Sequence, residues 1–291
     1  MPLRSWAVAT LVALTACSGT SAGPAPVAER DRTPSQRAEP TPTATHTPRF
    51  IPPINHWVTK RPTWLGHRVL PKRPDGFGVI RPTPPLLRNR RLATMDLLPP
   101  PNDKKFHYSI SKVPAEVVAR SSFRKKCPVT LDELAYLNMT FWGFDHLSHT
   151  GEMIVNRSVA DDVVSVFQSL FAAHFPIEEM RVVTLQEQRD PPYGDTNLTS
   201  SFECRPATGG SNWSEHAYGL AIDINPFHNP YVRGDLVLPE RALAYADRGW
   251  VRPGMIFEGD VVTNAFDSIG WGWGGRWNSL KDYMHFSQNG R

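Results

Sequence analysis

"SEHAYGLAIDIN", residues Ser214–Asn225, places a histidine and an aspartate seven positions apart with a glycine between them. A metal site on a helix uses spacings of three or four, because those positions share a face. Seven with a central Gly219 fits a turn carrying His216 that feeds a strand carrying Asp223. The strand period puts Leu220, Ile222 and Ile224 on one face and Ala221, Asp223 and Asn225 on the other. The first face is core. The second brings a carboxylate up among small and polar neighbours, as a cleft wall does. A bland reading stays open at this point, with Asp223 closing a turn and His216 a satisfied histidine.

The stretch "WGWGGRWNSLKDYMHFSQ", Trp271–Gln288, supplies a second half. If "YMHFS" is a strand, Tyr283, His285 and Ser287 share one face. Asp282 is three residues from His285, so on a regular strand it would point away. To serve the same site it must sit in a preceding turn or short helix. Two imidazoles, His216 and His285, with the Asp223 carboxylate make a tripod for Zn²⁺ that leaves a fourth position for water. A further unligated carboxylate could take that water's proton and pass it to a leaving amine, and Asp282 is the candidate.

Around these motifs the chain runs to 291 residues, 40% hydrophobic and 21% charged, as soluble globular proteins are. The net charge of +4 makes no case for nucleic acid as a partner. "MPLRSWAVATLVALTAC" carries Arg4 and a short apolar run ending at Cys17, too short to span a bilayer. It reads as an export signal over 1–16, and "LTAC" resembles the lipobox of bacterial lipoproteins, which makes Cys17 an expected lipid anchor. The two remaining cysteines, Cys127 and Cys204, are expected to pair in an exported chain, the alternative being two buried thiols.

Residues 17–50 are Pro, Thr, Ala and charge without apolar periodicity, a disordered tether. Residues 51–104 stay Pro-rich but add Trp57, Trp64 and Phe77, which suggests an ordered, extended arm on the domain. Its basic residues, Arg90 among them, read as a solvated face. Residues 105–291 read as one α+β domain: a small antiparallel sheet with helices packed on one side. "TLDELAYLNMTFWGF" opens like a short helix capped by Thr130 and Glu133. "GEMIVN", "MRVVTL", "GLAIDIN" and "DYMHFS" read as strands. "SVADDVVSVFQSLFAAHF" is a helix by its apolar spacing.

S-x-H-x-x-G-x-A-x-D followed some 60 residues later by D-x-x-H-F resembles the zinc D-Ala-D-Ala carboxypeptidase family, which includes the vancomycin-resistance D,D-peptidases. It is most similar to the branch of L-alanyl-D-glutamate endopeptidases. The resemblance covers roughly residues 105–291. It implies a zinc-peptidase (hedgehog-like) fold, Zn²⁺ on His216, Asp223 and His285, and Asp282 as catalytic base. It also implies an upstream arginine that steadies the tetrahedral intermediate; Arg205 is the best match, with Arg189 also available. Ser214 matches the motif serine, a hydrogen-bonder that orients a ligand. His149 and His174 are expected to be structural, His228 a cleft-rim residue at best, and Trp271, Trp273 and Trp277 packing at the core edge. The function expected is hydrolysis of amide bonds in peptidoglycan stem peptides by a lipid-anchored enzyme on the outer face of the bacterial cytoplasmic membrane. The alternative is a non-catalytic cell-wall-binding lipoprotein that keeps the zinc site. The presence of Asp282 beside every ligand argues against it.

Overall fold

Leu134–Trp142 shows how the core is divided. Alternate residues of a strand face opposite sides. Here Ala135, Leu137, Met139 and Phe141 enter one apolar cluster, while Leu134 and Tyr136 enter another. The computed structural model describes residues 58–291. The export signal, Cys17, the tether over 17–50 and the first part of the arm lie outside the described residues.

The elements in chain order begin with β1 (Tyr108–Ser111), α1 (Ala115–Arg120), β2 (Leu134–Trp142), β3 (Ser148–Asn156) and α2 (Ala160–Ala172). Next come β4 (Glu179–Met180), β5 (Leu198–Thr199), β6 (Ala221–Asp223), β7 (Tyr231–Arg233) and β8 (Leu236–Leu238). The last are α3 (Leu243–Ala246), α4 (Val261–Ser268), β9 (Gly272–Trp273), β10 (Lys281–Asp282) and β11 (His285–Ser287). The class is α+β, but the single sheet expected from the sequence is instead three three-stranded sheets, β1-β2-β3, β6-β11-β9 and β10-β7-β8, with a parallel β4-β5 pair.

Helix α2 buries Val163, Val166, Phe167 and Leu170, spaced three and four apart, against the β2 face, and it packs beside α4. Asp161 and Asp162 occupy its first turn, where the helix dipole favours negative charge. One sequence reading holds for its opening turn alone, and another needs correction. The Thr130–Glu133 capping pair is formed, with Glu133 accepting from the Thr130 N–H at 2.8 Å, but it caps a single turn. The nine residues after it are almost all buried, and they form a strand paired with β1 on one side and β3 on the other. "MRVVTL" contributes only Met180 to a strand; Val182 and Val183 are buried without ladder pairing.

Residues 58–104 hold one short 3₁₀ turn, Pro85–Leu87, before β1. Their order comes from anchors. Leu70, Leu87 and Leu92 are buried, and Leu87 packs with Phe227, Val237, Ala242, Tyr245 and Met255. Arg90 is no solvated residue. Its guanidinium pairs with Glu178 through two 2.7 Å bonds, both side chains being essentially inaccessible to solvent. Asn197 donates to the same carboxylate at 2.8 Å, and the Arg90 carbonyl lies 3.0 Å from His228 Nε2. His228 is therefore fully buried and stacked on Phe144, and not at a cleft rim. A disulfide joins Cys127 to Cys204 with the Cα atoms 5.7 Å apart, tying the segment before β2 to the chain leading into the His216 turn.

Candidate metal centre

The histidine-bearing turn is built by local chemistry. Ser214 Oγ accepts the His216 N–H at 3.3 Å and caps the 3₁₀ turn Glu215–Tyr218. Gly219 ends the turn at φ 69°, and a Cβ there would come within 2.5 Å of the Asn156 nitrogen. Only glycine meets both demands. The turn leads straight into β6, which carries Asp223.

Strand register supplies the second histidine. His285 in β11 is the direct cross-strand partner of Asp223, so the two side chains stand together on one face while Phe286 and Ile222 point to the core. The Asp223 backbone also exchanges hydrogen bonds with Ser200, which begins an extended segment alongside. The Ser201 carbonyl on that segment lies 2.7 Å from His216 Nδ1, and the Arg291 carbonyl lies 3.1 Å from His285 Nε2. Each carbonyl accepts a ring N–H, which leaves His216 Nε2 and His285 Nδ1 as the open nitrogens.

Those two nitrogens and Asp223 Oδ1 form a small triangle: 3.2 Å between the nitrogens, 3.3 Å from His216 to Asp223 and 3.1 Å from His285 to Asp223. A tetrahedral ion with ligands at about 2.0–2.1 Å needs donors about 3.3 Å apart. The cluster fits a divalent metal by spacing, by donor type and by tautomer. Among the described residues these three form the group of His, Cys, Asp and Glu donors near enough to share an ion.

Asp282 does not lie in a turn or helix. It ends β10, paired with Tyr231 in β7, and the chain breaks pairing at Tyr283–Met284 before β11 begins. That break lets residues three apart in sequence serve one site. Asp282 Oδ1 is sealed from solvent and has no hydrogen-bond partner among the described residues. Burial, followed by the neighbouring Asp223 charge, pushes its carboxyl up to about 7 against the opposing pull of His285, His216 and Arg205. For Asp223 burial works the other way from its partners, and the His216 and His285 rings hold it well below the usual carboxylate range. Burial acts to lower His285, but the Asp223 carboxylate outweighs it and the imidazole is raised.

Arg205 is anchored by Glu203, Nε to Oε2 at 2.6 Å, and its charge reaches both Asp223 and Asp282. Arg189 is exposed and neighbours Arg124 instead. Trp271 and Trp273 are buried in the core, whereas Trp277 tilts over the His285 ring at 5.5 Å. His149 sits between Asp96 and Asp145, and His174 stacks on Trp142. Sequence reading missed Ser201 and Arg291, which act through main-chain carbonyls and so have no side-chain signature. It also missed Glu203, whose i, i+2 spacing to Arg205 on an extended segment was a usable signal.

Residues 208–288 match the family described as D-alanyl-D-alanine carboxypeptidase. The matched stretch contains the three donors, Asp282 and Ser214; Arg205 and Cys204 lie outside it. No curated protein and no solved structure matches the chain. The match supports a peptidase of the D-Ala-D-Ala type.

Proposed function

We propose that this chain is a zinc-dependent peptidase that hydrolyses amide bonds in peptidoglycan stem peptides, of the D-Ala-D-Ala carboxypeptidase or L-Ala-D-Glu endopeptidase type, with the zinc-peptidase fold. The observation that carries this reading is the convergence of His216 Nε2, Asp223 Oδ1 and His285 Nδ1 beside a buried Asp282 carboxylate whose Oδ1 has no partner among the described residues. Bound zinc would supply Lewis acidity toward the amide carbonyl and the attacking water.

The chain's own groups account for the rest. Ser201 and the Arg291 carbonyl hold the two rings so that their open nitrogens face inward. Asp282 accepts the proton of the attacking water and returns it to the nitrogen as the C–N bond breaks, so water is added across the amide. Arg205, held by Glu203, offers fixed positive charge where negative charge gathers on the carbonyl oxygen. In this reading the protein is exported and held by lipid on Cys17 at the outer face of the bacterial cytoplasmic membrane, so that the domain meets the wall.

Mass spectrometry of purified peptidoglycan incubated with the zinc-loaded protein tests it. Loss of a single D-Ala identifies a carboxypeptidase, and release of whole stem peptides identifies an endopeptidase. No fragments from wild-type protein would refute the peptidase assignment.

A further inference from the structure

Strand β7 carries chemistry outward from the metal cluster. Tyr231 is the cross-strand partner of Asp282, so their side chains stand side by side with Cβ atoms about 5 Å apart. Arg233, two residues on, shares that face, and its guanidinium carbon lies 5.9 Å from the Tyr231 ring centroid. Carboxylate, phenol and guanidinium therefore form a row leading away from the donors. The Tyr231 ring is buried, yet its hydroxyl reaches solvent and bonds to no described residue.

The cation at the end of this row is uncompensated. Arg233 is exposed and pairs with no acid among the described residues. The acid nearest in sequence, Asp235 in the β7–β8 turn, is taken by Arg73 at 3.1 Å. Arg205 is tied to Glu203, and Arg276 to Glu258 and Asp267. The terminal nitrogens of Arg233 lie 3.6 Å from where a Cβ would stand at Gly209. Gly209 belongs to the loop 206–213, which is closed by a Pro206–Trp213 bridge and springs from Arg205 and Ser214 at its base. The loop thus links the anchored arginine of the site to the free one.

We propose that Arg233, together with the Tyr231 hydroxyl, is a specificity-determining site for a carboxylate of the bound peptide, adjoining the amide that Asp282 faces. This rests on the peptidase reading and adds a substrate feature to it. Guanidinium recognises carboxylate through paired N–H donors, and a phenol supplies a third donor. Two carboxylates of a stem peptide have this chemistry, the C-terminal α-carboxylate and that of a D-glutamyl residue.

The test uses the zinc-loaded full chain carrying Asp282→Asn to stop turnover, with and without Arg233→Ala, in titration calorimetry. Three synthetic stem peptides serve as probes: one with free carboxylates, one amidated at its C-terminus and one amidated at the glutamyl carboxylate. The expected result is that one amidated peptide binds about tenfold or more weakly, and that Arg233→Ala erases the difference. The amide that weakens binding names the carboxylate. Tyr231→Phe should weaken the same peptide by about two- to tenfold. Equal weakening of all three peptides by Arg233→Ala, no effect of it, or no binding by any peptide would overturn the proposal. Failure of the peptidase reading shows separately, as wild-type protein that releases nothing from peptidoglycan.

Discussion

Two of the buried polar clusters among the described residues differ in closure. Around Arg90 every strong group is matched. The guanidinium and the Glu178 carboxylate pair twice, Asn197 adds a third bond, and His228 is sandwiched between Asn197 and the Arg90 carbonyl. Around His216 three electron-pair donors face one another, and Asp282 Oδ1 has no partner among the described residues. Leaving a buried polar group unpaired costs about 1–3 kcal/mol, and more for a charged one. A fold tolerates that where something outside the chain completes the arrangement. The first cluster fastens the arm; the second presents donors whose type and spacing suit a divalent metal.

Substitutions can break this comparison, and the largest effect falls on the open cluster. His285→Ala removes one of three donors, and zinc content measured by mass spectrometry of the metal should fall to background, with activity following. Asp282→Asn should keep the metal and lower kcat by about 10²–10⁴-fold. Full turnover in that variant would remove Asp282 from the chemistry. In the closed cluster, Glu178→Ala strands a buried guanidinium and should cost about 3–5 kcal/mol, read as a lower urea midpoint. A change within 0.5 kcal/mol would show that the arm is held by its leucines alone.

The pH dependences should separate as well. For Glu178 burial acts to raise the carboxyl, but Arg90 outweighs it and the folded-state value lies below the ordinary 4.5. Its contribution is complete above 4.5 and is lost as pH falls through the lower folded value. The urea midpoint should decline below pH 4.5, with a shallower slope in Glu178→Gln. His285 is raised above its ordinary 6.5, so the metal-free site holds a proton that zinc must displace. Zinc affinity should therefore rise with pH until the raised His285 value is passed and level off above it, a smaller effect that titration against a competing chelator would measure.

Much of the open cluster was legible in the sequence, because its donors carry their own chemistry and Gly219 marks the turn. The helix α2 was legible through its apolar spacing. The three separate sheets were not, since two- and three-residue strands such as β10 and β11 are too short for a period to declare itself. The closed cluster was hidden for another reason. Nothing near Arg90 announces burial; its partner Glu178 is 88 residues away and equally unmarked. Main-chain carbonyls that orient imidazoles are silent in any sequence.

The connection between Arg90 and residues 178–245 also bears on the order of events during synthesis. The arm emerges first, yet Glu178, Asp195 and Tyr245, which receive it, emerge much later. Until then it has nothing to dock on, and its prolines keep it extended. His285 comes later still, 62 residues after its cross-strand partner Asp223. No nascent fragment that stops short of His285 can gather all three donors, so the candidate metal centre is complete only once His285 has been made.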